Sequence, residues 1–90
     1  MSFWVYILRC GDGTLYTGIA ADVERRLRAH QNGTGAKYTR GRGPLRVAYR
    51  EELGDKSTAL RREAQIKRLP RAEKLKLIEE AAAEAPGRGS

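Results

Sequence analysis

Residues 3–18 read FWVYILRCGDGTLYTG, and this stretch decides the fold. Phe3–Leu8 is rich in aromatic and β-branched residues, which predicts a strand. The letters CGDG at residues 10–13 predict a turn, because glycine accepts positive φ angles and aspartate bonds to the nearby backbone. Thr14–Gly18 predicts a second strand, so we expect the chain to begin with a β-hairpin.

The remainder of the chain predicts helices that pack on an extended sheet. Caps, apolar spacing and proline breaks define the further elements. They are a helix from the N-cap Asp22 to the stop Asn32-Gly33, a strand over Leu45–Arg50, a helix over Thr58–Arg68 capped by Ser57, and a helix over Arg71–Ala85 with Leu75 and Ile78 inward. The order β-β-α-β-α-α predicts an α+β fold. We expect one domain over residues 1–85 and a disordered tail over residues 86–90.

Composition narrows the class of protein. The 90 residues carry 18 Lys and Arg against 11 Asp and Glu, a net charge of +7, which favours polyanions such as nucleic acid as partners. No run of 18 apolar residues is present, which excludes a membrane-spanning helix. The apolar Met1–Leu8 lacks a basic leader and a cleavage site, and Cys10 is the only cysteine. A cytoplasmic protein without a disulfide framework or a Cys-rich zinc site is therefore expected.

Three polar side chains fall on helix faces that should be buried. Helical spacing puts Arg26 and His30 on or beside the apolar face of the first helix, and Glu63 within that of the second. A guanidinium there needs an anion, and a carboxylate needs a cation. Glu63 is therefore either the partner of an arginine at the core edge or a ligand of Mg²⁺. His30 is either bonded to a backbone carbonyl or functional.

Two phenols and a glycine-rich loop are further candidates. Tyr6 and Tyr16 lie on the two arms of the hairpin at roughly opposite positions, either as a stabilising aromatic pair or as part of a site. A phenol is a poor base unless a cation lowers its pKa. Gly33–Gly43 predicts a flexible basic loop, either merely solvated or bound to nucleic acid. In the second case Lys37, Arg40 and Arg42 would contact phosphates and Tyr38 would stack on a base.

These residues together resemble the GIY-YIG nuclease family, and most closely its short single-domain branch of small bacterial proteins. The resemblance covers about Phe3 to Ile78. It is carried by WVY at residues 4–6, YTG at 16–18, DVERRLRAH at 22–30, GAKYT at 35–39 and REAQIK at 62–67. The first motif lacks its glycine and isoleucine, and Thr17 fills the middle of the second. The asparagine found beyond the glutamate in some members has no counterpart in Leu69–Ala85. Lys67 or Lys74 is a candidate substitute.

The resemblance implies a three-stranded antiparallel sheet flanked by helices and metal-dependent cleavage of DNA. It implies one Mg²⁺ or Mn²⁺ ion, held by Glu63. By position it implies Tyr6, Tyr16, Arg26 and His30 as catalytic residues and Gly18 as a residue without a side chain near the site. Lys67 joins the four loop residues Lys37, Tyr38, Arg40 and Arg42 as an expected nucleic-acid contact.

The expected activity is an endonuclease of low sequence specificity, structure-selective in DNA repair or processing. The expected partners are DNA, branched or damaged DNA included, with RNA second, and a protein that supplies substrate affinity. The alternative is a catalytically weak DNA- or RNA-binding module on the same fold. An adaptor for other proteins is a third reading, supported only by the Ala-rich last helix.

Overall fold

The structure, a computed structural model, describes residues 2–84. Strands and helices follow one another in the expected order β-β-α-β-α-α. Their bounds are β1 Phe3–Arg9, β2 Leu15–Ala20, α1 Val23–Gln31, β3 Arg46–Leu53, α2 Lys56–Arg68 and α3 Arg71–Glu84. Ala85 and the tail predicted over residues 86–90 lie outside the described residues.

The strands form one antiparallel sheet with β1 in the centre, in the order β2-β1-β3. The α+β architecture predicted from the sequence is therefore confirmed. Because helices cover both faces of the sheet, β1 is buried on both sides, and its residues Val5, Tyr6, Ile7 and Leu8 are all at most 2% exposed. Among residues 2–84, no helix is both long and apolar enough to cross a membrane.

Alternation along β1 divides the core into two clusters. Val5 and Ile7 pack with Ala59 and Ile66 of α2, and Leu77 and Ile78 of α3 cover the same cluster. Ile78 thus faces inward as predicted; Leu75 is half-buried like Ile78 but does not belong to this cluster. On the opposite face, Tyr6 and Leu8 pack with Ala20, Val23 and Leu27, so this face lies under α1.

Several predicted boundaries were wrong: β1 ends at Arg9 and not at Leu8, β2 covers Leu15–Ala20 and not Thr14–Gly18, and two further differences have identifiable reasons. Helix α2 begins at Lys56 and not at Thr58, because Asp55 rather than Ser57 is its N-cap and accepts a hydrogen bond from the Thr58 N–H at 2.7 Å. Strand β3 runs on through two glutamates to Leu53, because its pairing with β1 continues to the Phe3–Leu53 position. Cross-strand pairing here outweighs the low strand propensity of glutamate.

Candidate functional site

On the sheet face that lies under α1, three buried polar side chains are connected by hydrogen bonds. Tyr6 of β1, His30 of α1 and Thr39 are each at most 3% exposed. The Tyr6 Oη lies 3.0 Å from His30 Nε2, and the Thr39 Oγ1 lies 2.9 Å from His30 Nδ1. Thr39 also donates to the carbonyl of Ala36 at 2.9 Å. His30 is thus bonded through both ring nitrogens to side chains, which differs from the backbone-bonded alternative.

An aromatic row leads from this chain to the surface. The ring centroids of Tyr6 and Tyr16 are 6.4 Å apart, those of Tyr16 and His30 5.2 Å, and those of Tyr16 and Tyr38 5.7 Å. Tyr38 ends the row and is 44% exposed. Tyr6 and Tyr16 share a sheet face but are not directly opposite, since Tyr6 pairs with Gly18 and Tyr16 with Leu8. Their contact is diagonal, a distance that aromatic side chains span.

The position opposite Tyr6 requires a glycine. A Cβ at residue 18 would lie 2.6 Å from the Tyr6 Oη and 2.8 Å from its Cζ. Gly18 therefore leaves the space in which the phenol meets His30, which is the physical reason for the glycine of the second motif.

Burial and neighbouring charges set the protonation states of Tyr6 and His30. Burial, then the neighbouring Tyr16, raises the pKa of Tyr6 well above its ordinary value, with Glu63 adding to the rise and Arg26 opposing it. Burial, then Arg26, lowers the pKa of His30. Tyr6 is therefore a protonated phenol and His30 a neutral imidazole near pH 7.

Arg26 and Glu63 act on this site electrostatically. Arg26 is exposed and lines a shallow cleft of about 350 Å³ with Ala20 and Ala29. The side chain of Glu63 is 18% exposed and lies 3.5 Å from the Lys67 ammonium. Both charges act on the phenol of Tyr6. Neither of them belongs to the hydrogen-bonded series of Tyr6, His30 and Thr39.

At Glu63 a metal ion would find a single protein carboxylate as ligand. Across residues 2–84, no cluster of three or more His, Cys, Asp or Glu is arranged to hold an ion. A single carboxylate nevertheless fits Mg²⁺, which keeps several waters and takes one or two protein carboxylates beside substrate phosphates.

The loop predicted to be flexible is held by internal contacts. It contains a 3₁₀ turn at Lys37–Thr39, and Arg40 Nε donates to the Gly33 carbonyl at 3.1 Å. Arg42 pairs with Asp12 of the hairpin turn at 2.6 Å, and its guanidinium lies 4.6 Å from the centre of the Tyr38 ring. Lys37 is exposed. Three of the expected nucleic-acid contacts, Arg40, Arg42 and Lys67, are thus engaged within the chain.

Sequence reasoning overlooked two features. Thr39 received no role, because nothing in its local pattern shows that its hydroxyl reaches His30 nine residues away. Arg71 also escaped notice, yet with Lys74 it lines a cleft of about 150 Å³ beside Tyr38. A cation in the first turn of α3 carries no spacing signal that would connect it to the aromatic row.

Comparison with known proteins identifies a matching domain family and similar proteins. The model of the GIY-YIG catalytic domain matches residues 2–76. A UPF0213 protein of Oceanobacillus iheyensis is 58% identical over 76 residues, which are 84% of this chain and 88% of that protein. A UPF0213 protein of Clostridium perfringens is 53% identical over 75 residues, 83% of this chain and 81% of that one.

Two solved structures have the same fold. The solution NMR structure of a UPF0213 protein from Bacillus halodurans has a TM-score of 0.58 at 46% identity and covers 89% of this chain and 85% of its own. The solution NMR structure of an E. faecalis protein has a TM-score of 0.64 at 37% identity, with 93% and 90% covered. Fold, motif positions and relatives agree, and the chain therefore belongs to the GIY-YIG family of nuclease domains, alongside its small UPF0213 members.

Proposed function

We propose that the protein is a metal-dependent endonuclease that hydrolyses DNA phosphodiester bonds with low sequence specificity. One observation carries the proposal: the phenol of Tyr6 is hydrogen-bonded to a neutral His30 at 3.0 Å and lies within the fields of Arg26 and Glu63. A proton acceptor, a phosphate-binding cation and a metal-binding carboxylate are the parts that this hydrolysis needs.

Tyr6 acts as the base together with His30. The raised pKa of Tyr6 excludes a standing tyrosinate, so Tyr6 Oη takes a proton from the attacking water while its own proton passes to His30 Nε2. The water oxygen bonds to phosphorus and the P–O3′ bond breaks, which leaves a 5′-phosphate and a 3′-hydroxyl whose proton comes from solvent. His30 then returns its proton to Tyr6, and Tyr6 releases one to solvent. Tyr16, packed against both rings, orients the water or the phosphate.

Arg26 and Glu63 serve the phosphoryl group. The exposed Arg26 donates to a phosphoryl oxygen and stabilises charge that grows there in the transition state. Glu63 would hold one Mg²⁺ or Mn²⁺ ion. A divalent ion bound there supplies Lewis-acid stabilisation of the phosphoryl and leaving oxygens. The Lys67 ammonium, which lies 3.5 Å from the Glu63 carboxylate, would then be free to contact the nucleic acid.

The substrate approaches along the aromatic row. Tyr38 offers an exposed ring for a base, and Lys37 and Arg40 offer cations for phosphates beside it. The Arg42 guanidinium lies 4.6 Å from the centre of the Tyr38 ring, so its contribution is to hold the ring. We propose DNA in the cytoplasm as the substrate, with branched or damaged DNA and a role in repair or processing, and a protein partner that adds affinity.

A second candidate function is a nucleic-acid-binding module without efficient catalysis, acting on DNA or RNA. The observation that favours it is the Glu63–Lys67 ion pair, because Lys67 competes with a metal ion for the carboxylate. The two candidates differ in what Arg26 does, since a binding module has no transition state to stabilise.

Nicking of supercoiled plasmid tests the proposal directly. With Mg²⁺ or Mn²⁺ the wild type should nick the plasmid, and EDTA should stop it. Glu63→Gln should abolish metal-dependent nicking. Arg26→Ala should lower kcat by about 10³-fold while most DNA affinity remains, because an arginine on a transferring phosphoryl group acts mainly in the transition state.

Two matched variants serve as controls for this experiment. Arg28→Ala removes the same charge from an exposed position on α1 about 200° around the helix from Arg26, and Glu79→Gln neutralises an exposed carboxylate of α3. Both should nick DNA like the wild type. A wild type that binds DNA in a salt-sensitive way but cleaves neither plasmid nor branched DNA would favour the binding module instead.

A further inference from the structure

His30 has two neutral tautomers, and only one of them accepts a proton from Tyr6. With the ring proton on Nδ1, the Nε2 lone pair faces the Tyr6 hydroxyl. With the proton on Nε2, the imidazole donates to Tyr6 and cannot take its proton. In this second state the relay described under Proposed function is blocked, so something must hold the proton on Nδ1.

The contacts of Nδ1 select between these states. Thr39 Oγ1 lies 2.9 Å from Nδ1, and its hydroxyl donates to the Ala36 carbonyl, also at 2.9 Å. Since that donation uses the hydroxyl proton, the oxygen faces Nδ1 with lone pairs and needs a donor there. The Ala36 N–H also points at Nδ1 but at 3.3 Å, which is a longer and weaker bond in the opposite sense.

We propose that Thr39 is a positioning residue that holds the proton of His30 on Nδ1 and so keeps Nε2 open to the proton of Tyr6, an inference that rests on the proposed function. The hydrogen bonds then run in one direction. Tyr6 O–H donates to Nε2, Nδ1–H donates to Thr39 Oγ1, and Thr39 O–H donates to the Ala36 carbonyl. When Nε2 receives the proton of Tyr6, the bond from Nδ1–H to Thr39 stays in place and supports the imidazolium.

The loop is built around the imidazole. Thr39 is 2% exposed although its neighbours Tyr38 and Arg40 are exposed, so its side chain points inward. A Cβ at residue 35 would overlap the ring of His30, and Gly35 therefore lets the backbone pass directly against it. The loop thus has an internal role that is separate from any contact with nucleic acid.

The tautomer is measurable without any assay of activity. His30 is the only histidine, so ring ¹⁵N spectra of the labelled full-length protein report this residue alone. The wild type should show a protonated Nδ1 and an unprotonated Nε2. Thr39→Val keeps the shape of the side chain but removes the hydroxyl. Nδ1 should then accept the hydrogen bond of the Ala36 N–H, and the ring proton should move to Nε2. Thr39→Ser should keep the wild-type pattern.

Kinetics of plasmid nicking supply the second readout. Thr39→Val should lower kcat by about 10²-fold or more, the range of general-base catalysis, with KM changed by less than about threefold. Thr39→Ser should recover most of kcat. Thr34→Val is the matched control, because Thr34 is an exposed loop threonine whose hydroxyl donates to the Ala29 carbonyl and does not reach the ring.

The outcomes separate this inference from the proposed function. An active wild type with its proton on Nε2 overturns the role of Thr39 and leaves the nuclease proposal standing. A folded Thr39→Val variant with the wild-type tautomer and unchanged kcat also overturns it. A wild type that cleaves no DNA overturns the proposed function and the catalytic use of the relay, whatever the tautomer.

Discussion

The absence of a side chain at residue 18 is what allows Tyr6 to meet His30. A Cβ at this position would sit 2.6 Å from the Tyr6 Oη, too close for the phenol to remain in place. Gly18→Ala should therefore turn the phenol away from His30, abolish cleavage and lower the free energy of unfolding by about 1–3 kcal/mol, the usual range for overpacking a core.

Chemical denaturation and plasmid nicking measure these two effects. Gly54→Ala is the matched control, because no atom lies within 4 Å of a Cβ built there and its φ is ordinary. Equal stability and activity in the two variants would show that the space at residue 18 does not hold Tyr6.

His30 ties the stability of the fold to pH. Its folded pKa is depressed below 6.5 by burial and by Arg26, so below pH 6.5 the unfolded chain binds more protons than the native one. Stability is then fully present above pH 6.5 and is lost as pH falls through the folded pKa. The slope has an upper limit of about 1.4 kcal/mol per pH unit for one proton.

Urea unfolding of the wild type and of His30→Gln over this pH range tests the linkage. The groups around the imidazole are Tyr6, Tyr16, Thr39 and Arg26, and burial holds the pKa of Tyr6 far above this pH range. The difference in unfolding free energy between the two proteins should therefore shrink as the pH falls. A difference that stays constant would mean that His30 does not titrate differently in the two states.

At the scale of elements, an ion pair between Asp12 and Arg42 and a backbone hydrogen bond from the Gly11 N–H to the Arg42 carbonyl fasten the loop at residues 33–43 to the β1–β2 turn. Hydrogen bonds from Thr14, with further support from Arg42, hold the pKa of Asp12 at about 2, so the contact persists in mild acid. Arg42 in turn rests on Tyr38, which rests on Tyr16. Asp12→Asn should therefore loosen the loop while the sheet stays intact.

Amide hydrogen exchange resolves this change. Exchange should accelerate at Tyr38–Arg42 in Asp12→Asn and stay unchanged at the β1 amides. Glu24→Gln is the control, because it removes the exposed ion pair with Arg50 from the far end of α1. Equal acceleration in both variants would indicate a general effect of lost charge.

At the scale of the whole molecule, the net charge of +7 predicts DNA binding that weakens steeply with salt. Lys37 and Arg40 are exposed beside the aromatic row. Replacing both with Ala should reduce the slope of log K against log salt by about 2, one for each phosphate contact.

Fluorescence anisotropy with a short duplex measures the slope. Lys56→Ala with Lys76→Ala removes the same charge from two exposed helix positions that have no place in the proposed contacts. This control should leave most of the slope intact. Equal loss in the two double variants would indicate that DNA lies on no particular face.

Local pattern determined the element order, the strand core of β1, the cap at Asp22, the motif positions and the charge. These features depend on residue spacing and on neighbours within one turn or one hairpin. Tertiary structure alone decided the partners of the polar groups. Tyr6 and His30 are 24 residues apart in sequence, and Asp12 and Arg42 are 30 apart. Spacing indicates which face a side chain occupies, but a hydrogen bond depends on how two elements pack, and that is settled only when the chain folds.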